Sequence, residues 1–229
     1  MASIEGLPQS SQRRKVIAGV AAISSFLILP MAFASSTRPT SIGRERMDIE
    51  RFVEDCIAAN NESDSQAGVK EVLKRAVSTP NAVINALGEP KRAGLNVLLS
   101  SPTLTIFAAT WTPQMNLMPH NHLMWANIGI YTGREDNILW KRSSDGIKAY
   151  GAEALFAKDA AALPNNAIHS VTNPLLRFTG GIHIYGGDFF NTHRSQWNPE
   201  SLKEEPSDGD VIRGIFQREN KRLGLDSQG

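Results

Sequence analysis

The 229-residue chain has one cysteine, Cys56. That excludes an internal disulfide framework and any multi-cysteine zinc or iron–sulfur site. A dominant charge is also missing: 24 Lys and Arg stand against 23 Asp and Glu, for a net +1. With no basic field to gather phosphates, nucleic acid is not an expected partner. Internal repeats and low-complexity segments are absent. What is present suits one folded domain with an extension, since 41% hydrophobic and 21% charged residues are enough to build a packed core.

A single long uncharged run occurs. Arg13-Arg14-Lys15 is followed by 19 uncharged residues, Val16 to Ala34, broken at Pro30 and ending in Ala32-Phe33-Ala34. Basic, apolar, then small-x-small is the order of a secretory signal. Gln12-Arg13-Arg14-Lys15-Val16-Ile17 also fits a loose twin-arginine pattern, which points to export, to the periplasm in a bacterium. Two other readings stay open: an uncleaved membrane anchor, since such a run just spans a bilayer, and a mis-started N-terminus. Only the anchor would bring a membrane contact. Without residues 1–34 the chain loses three basic and one acidic residue and stands near −1.

The body divides in two, with residues 35–94 as a helical lead-in. Ile49, Phe52, Val53, Cys56 and Ile57 recur at helical spacing, as do Val69, Val72, Leu73 and Ala76. Thr79-Pro80 opens a third short helix and Gly88 closes it. From Leu95 the pattern is of short strands: 95–99, 103–111, 125–132, 138–141, 147–150, 167–173 and 178–185. Turn signals separate them, among them Gly133-Arg134-Glu135-Asp136-Asn137. Such a series predicts a sandwich, barrel or jelly roll over 95–187. Residues 188–229 read as a polar wrap ending in a helix near 210–220.

Of the five histidines, two stand in Pro119-His120-Asn121-His122. Side chains two apart on a strand share a face, so His120 and His122 can grip one ion. A third imidazole follows at His169, in Pro164-Asn165-Asn166-Ala167-Ile168-His169, with Asn173 four residues on. Imidazole suits iron, zinc, copper and nickel.

These residues resemble the two motifs of the cupin superfamily. The first, His-x-His, three or four residues, Glu, six residues, Gly, matches at His120, His122 and Gly133. The second, Pro-x-Gly-x-x-His-x-x-x-Asn, matches at Pro164, His169 and Asn173, with Asn166 in the glycine position. The resemblance covers roughly residues 95–186. It implies a mainly β fold, a double-stranded β-helix jelly-roll barrel behind the helical lead-in, with His120, His122 and His169 as metal ligands. The family's carboxylate ligand would fall at Ala126 or Asn127, and neither is acidic.

A barrel with three histidines and no carboxylate resembles the thiol dioxygenases, the cupin branch typified by cysteine dioxygenase. That branch carries a Ser-x-His-x-Tyr strand after the third ligand, and this chain has Gly181-Ile182-His183-Ile184-Tyr185 there. The resemblance implies Fe(II), with Zn, Mn or Ni as alternatives, a small thiol and dioxygen as reactants, and His183 and Tyr185 as catalytic groups. With Gly181 for serine, the relay is expected to lack its outer member. Core packing is the competing reading for both His183 and Tyr185. A cation for a thiol carboxylate is sought at Arg92 or Arg177, between which spacing does not choose. Trp125 and Met118 either line the pocket or pack in the core. His193 reads as solvent-exposed and Cys56 as a small core residue. No cysteine stands near the first motif, so no cysteine–tyrosine crosslink is expected.

Three functions compete: an Fe(II)-dependent oxygenase of small thiols, a metal cupin with other chemistry, and a ligand-binding sensor. Fold alone does not separate them. The export reading gives the first prediction. Protein recovered from the producing cell begins at Ser35 on N-terminal sequencing, and a stable full-length cytoplasmic protein would refute cleavage.

Overall fold

The computed structural model describes residues 45–225; the export-like segment lies outside the described residues. Among the described residues no helix is long and apolar enough to cross a membrane. Three helices come first, α1 (Ile49–Asn60), α2 (Ser65–Val77) and α3 (Pro80–Leu87). Asp48 and Asp64 cap the first two by accepting hydrogen bonds from the Arg51 and Ala67 amides, and Pro80 opens the third. Their boundaries follow the expected helical periodicity.

Nine strands build the barrel: β1 (Gly94–Ser100), β2 (Thr105–Trp111), β3 (Asn116–Asn121), β4 (Ala126–Thr132), β5 (Arg134–Ser143), β6 (Gly146–Phe156), β7 (Ala160–Leu163), β8 (Ile168–Thr172) and β9 (Thr179–Tyr185). The tail adds β10 (Ser195–Trp197), β11 (Glu204–Pro206) and helix α4 (Gly209–Arg222). One sheet runs β1-β2-β9-β4-β7 and the other β11-β10-β3-β8-β5-β6, with every pair antiparallel. The central strands β2–β9 therefore stand in the orders 2-9-4-7 and 3-8-5-6. The chain crosses between sheets after β2, β3, β4, β6, β7 and β8, which is the jelly-roll arrangement of two Greek keys. The expected mainly β barrel with a helical lead-in is the observed fold.

Alternation along β2, β4 and β9 sorts their side chains between two cores. Ile106, Tyr131, Ile182 and Ile184 face out and pack on Phe52, Cys56, Val69, Leu73, Val77 and Val83 of the helices. Phe107, Ala109, Trp111, Ile128, Ile130 and Tyr185 face in, toward the second sheet. Every residue of β9 is buried, because helices cover one face and the opposite sheet covers the other. Cys56 belongs to the helical core, where burial pushes its thiol up to about 12.

Several strands differ from expectation. β3 carries Pro119, which removes an amide from the ladder, and its pairing with β8 shifts register between Leu117 and His120 at that proline. β7 is Ala-Ala-Ala-Leu and has little strand propensity of its own; its pairing with β4 makes it a strand. The segment read as a turn at 133–137 turns at Gly133 alone. Gly133 has φ +80°, and a Cβ there would fall 2.2 Å from Thr179 Oγ1, so the tight turn requires glycine. From Arg134 the chain is already in β5, with Glu135 and Asn137 pointing inward. The charged run Arg134-Glu135-Asp136 disguised that alternation.

Helix α4 closes one end of the barrel. Phe216 stacks on Trp111 with ring centroids 5.6 Å apart. Asn220 pairs with the backbone of Ala93 as a strand would, accepting at 2.8 Å and donating at 2.9 Å.

Candidate metal centre

His120 on β3 and His169 on β8 are direct cross-strand partners, with ring centroids 4.5 Å apart. His122 lies one residue past the end of β3 and keeps the same inward face. One nitrogen from each of the three falls within 4.8 Å of the others, and all three rings are buried.

The donor set fits a metal ion. His120 Nδ1 donates to the Met118 carbonyl at 3.0 Å, and His169 Nδ1 donates to Asn137 Oδ1 at 2.6 Å. Each ring thus has its Nε2 lone pair free, the arrangement in which a second partner orients a metal-ligating imidazole. His169 Nε2 and His122 Nε2 stand 3.1 Å apart. Two bare nitrogens at that distance repel unless a proton or a cation lies between them. Burial lowers all three pKa values: His120 to about 4, His122 and His169 well below their usual range, each also lowered by its histidine neighbours. The cluster is therefore neutral at pH 7, as metal ligands must be. His122 Nδ1 is buried without a hydrogen-bond partner, so the polar contact of that ring is the one between its Nε2 and His169.

The site opens on a cavity of about 820 Å³, lined by His120 and His169 from one sheet and by Phe107, Trp111, His183 and Tyr185 from the other. The His122 and Tyr185 ring centroids are 4.8 Å apart. The Tyr185 hydroxyl lies 3.4 Å from His183 Nδ1, and burial raises the phenol pKa, so its proton is retained. The structure thus brings together all five residues singled out as ligands or catalytic groups.

The three residues considered for substrate binding fare differently. Arg92 lines the rim, exposed, with its guanidinium on the Leu225 carbonyl. Arg177 is exposed and is not among the residues that line the cavity; its backbone carbonyl accepts from Asn173. Trp125 packs with the helical core on the outer side of its sheet, against Gly186, where a Cβ would fall 2.0 Å from the indole. Met118 packs at the edge of the barrel core. His193 is exposed at the cavity mouth.

Two site residues escaped the sequence reading. Arg194 lines the cavity with its guanidinium 3.9 Å above the Phe189 ring. Its Nε is buried without a partner, and it forms no ion pair among the described residues. It sits in the irregular tail, where no periodicity marks a buried position. Glu135 is fully buried inside the barrel. It accepts from Trp111 Nε1 at 2.8 Å and from Asn137 Nδ2 at 3.1 Å, and its Oε2 lies 3.3 Å from His183 Nε2. That last contact falls short of good hydrogen-bond geometry, and His183 Nε2 has no better partner. Burial alone would raise the Glu135 pKa, but His183, Asn137 and Trp111 outweigh it and hold the carboxyl below its ordinary value. Alternating burial along 135 and 137 was the available signal. Glu135 is engaged by other groups and is no part of the three-histidine cluster.

Removing one ligand should remove the metal, because three donors leave no redundancy. His169→Ala protein retains little zinc after loading and desalting, as measured by elemental analysis, while full occupancy would refute the assignment. Acid sensitivity follows from the lowered pKa values. Between pH ~6.5 and the folded values, the unfolded chain binds protons that the folded chain does not, so acidification through that window favours unfolding. For His120 the window reaches down to about 4. The urea midpoint of metal-free protein should fall from pH ~7 to ~5, less steeply in His169→Ala.

No family model matches the chain, and no curated protein matches it. Solved structures similar to it include a Bacillus halodurans protein (18% identity, 42% of this chain and 72% of that one, TM-score 0.38). Another is an RmlC-like cupin with a double-stranded β-helix fold from Methanocaldococcus jannaschii (10% identity, 43% and 83%, TM-score 0.37). A third is a protein with a double-stranded β-helix domain from Klebsiella pneumoniae (12% identity, 47% and 81%, TM-score 0.37). The fold assignment for this chain rests on its own strand order, and the site assignment on its own histidines.

Proposed function

We propose that this chain is a non-haem Fe(II)-dependent oxygenase of a small thiol. The observation that carries the reading is a three-imidazole cluster facing, across one cavity, a buried tyrosine paired with a buried histidine. Fe(II) held by His120, His122 and His169 would supply open coordination positions where thiolate and dioxygen meet, and would lower the thiol pKa. Adding both atoms of O2 to the sulfur of RSH gives the sulfinic acid RSO2H. Sulfur loses four electrons and dioxygen gains them, so no further reductant is needed.

The protein's own groups have distinct tasks. Tyr185 presents a protonated hydroxyl beside the ligand cluster, and His183 behind it can take or return that proton. Phe107, Trp111 and Phe189 keep the reacting face apolar. Arg194 is better placed than Arg92 or Arg177 to hold an anionic substrate group, because it lines the cavity, its Nε is buried without a partner and it forms no ion pair among the described residues. A small thiol bearing a carboxylate fits this set. A second reading, a metal cupin with acid–base chemistry on Zn(II) or Mn(II), draws on the Glu135–His183 contact.

Oxygen uptake decides between them. Protein purified without oxygen and loaded with iron consumes O2 with at least one member of a thiol panel. Tyr185→Phe keeps its metal and loses turnover by about 10²-fold, the usual contribution of a positioned acid–base group. Arg194→Gln raises KM for carboxylated thiols more than for aminothiols. No uptake by iron-loaded wild type with any thiol would move the assignment to the second reading.

A further inference from the structure

Glu135 is a buried anion to which the chemistry above assigns no task. Its surroundings specify a carboxylate and not an amide. Trp111 Nε1 can only donate, and it meets Oε2 at 2.8 Å. Asn137 presents its amide nitrogen to Oε1 at 3.1 Å, the direction that an acceptor-only carboxylate requires. The Asn137 oxygen is committed to the Nδ1–H of His169 at 2.6 Å, the bond that leaves His169 Nε2 available to a metal. Two obligate donors thus meet the two oxygens of residue 135, and a glutamine would turn its NH2 group against one of them.

His183 completes the set. Its Nε2 lies 3.3 Å from Glu135 Oε2, while Nδ1 faces the Tyr185 hydroxyl at 3.4 Å. From the neighbouring position on β9 no side chain is offered to that nitrogen, which has no other hydrogen-bond partner among the described residues. Residue 181 is glycine, and a Cβ there would already stand 3.3 Å from Nε2 and 2.9 Å from Ile130 Cδ1. The outer position that the missing serine was expected to leave vacant is approached instead from β5, by a carboxylate.

We propose that Glu135 is a positioning residue that sets two imidazoles at once. It keeps the His183 proton on Nε2, leaving Nδ1 as acceptor for Tyr185, and through Asn137 it holds His169 with Nε2 turned to the metal. Every hydrogen-bond arrow in the network then runs toward Glu135: Tyr185 to His183 to Glu135, and His169 to Asn137 to Glu135. When Tyr185 gives up its proton, the O–H bond breaks and an N–H bond forms at His183 Nδ1. The resulting imidazolium faces the carboxylate, as in a serine-hydrolase triad, where the acid fixes the histidine tautomer. The inference rests on the oxygenase reading for its effect on turnover, not for its effect on the two rings.

The test uses full-length protein loaded with zinc, which needs no catalysis. Nitrogen-15 NMR of the imidazoles, with His183 assigned by loss of its signals in His183→Gln, should show a protonated Nε2 on His183 and a protonated Nδ1 on His169. A bare His183 Nε2 in the wild type overturns the proposal, whether or not any variant folds. In Glu135→Gln the His183 proton should move to Nδ1. Zinc affinity should fall by roughly 10-fold through the Asn137–His169 arm. Iron-dependent thiol oxidation should fall by about 10²-fold per bound metal. Glu135→Asp, which keeps the charge, should restore the His183 tautomer in part. Wild-type tautomers and zinc affinity in Glu135→Gln also refute it. Correct tautomers in an iron-loaded wild type that consumes no oxygen with any thiol would leave Glu135 in its role and remove only the oxygenase reading.

Discussion

The register that sets His120 directly opposite His169 across β3 and β8 is the constraint on which the site depends. Strand pairing holds two imidazoles at a fixed separation without any loop having to order itself, and His122 joins them by alternation alone. Pro119 and the register shift beside it belong to this arrangement, since the shift is what returns His120 to the inward face opposite His169. A one-residue slip would turn these rings to the other face of the sheet. The opposite sheet supplies the second half of the site from β9, and helices α1–α3 cover the outer face of that sheet with apolar side chains.

Inside this frame the electrostatics are specified by burial. Three neutral imidazoles provide donors and no charge, so a divalent ion would bring positive charge to the cluster. Arg194 adds another cation at the cavity, and Glu135 is the buried anion behind it. A buried carboxylate is costly unless donors surround it. Here the donors are Trp111 of β2 and Asn137 of β5, with His183 of β9 3.3 Å away, so the same side chain that needs them also links three strands. Specificity and stability are therefore not separable at residue 135.

The legible parts of the fold were those with strong local periodicity. Helices α1 and α2 show it in Phe52 and Cys56 and in Val69, Val72 and Leu73, and β9 alternates Ile182 and Ile184 on one face with His183 and Tyr185 on the other. The less legible parts were those where context overrides propensity. β7 is a strand because β4 pairs with it, and β5 begins four residues before its apolar stretch because Glu135 and Asn137 have polar partners inside the barrel. Trp125 and Arg177 show the reverse error: residue type suggested a pocket, but alternation and exposure place them elsewhere.

By itself the sequence determined the three imidazoles, the His183–Tyr185 strand, the helical lead-in and the β-rich body, because motif spacing and side-chain alternation are properties of neighbouring residues. Only the tertiary structure decided that Arg194 from the tail enters the cavity and that Glu135 meets His183 and, through Asn137, His169. These contacts join residues tens of positions apart, and no local pattern encodes which buried donor will face which buried acceptor once two sheets close on each other.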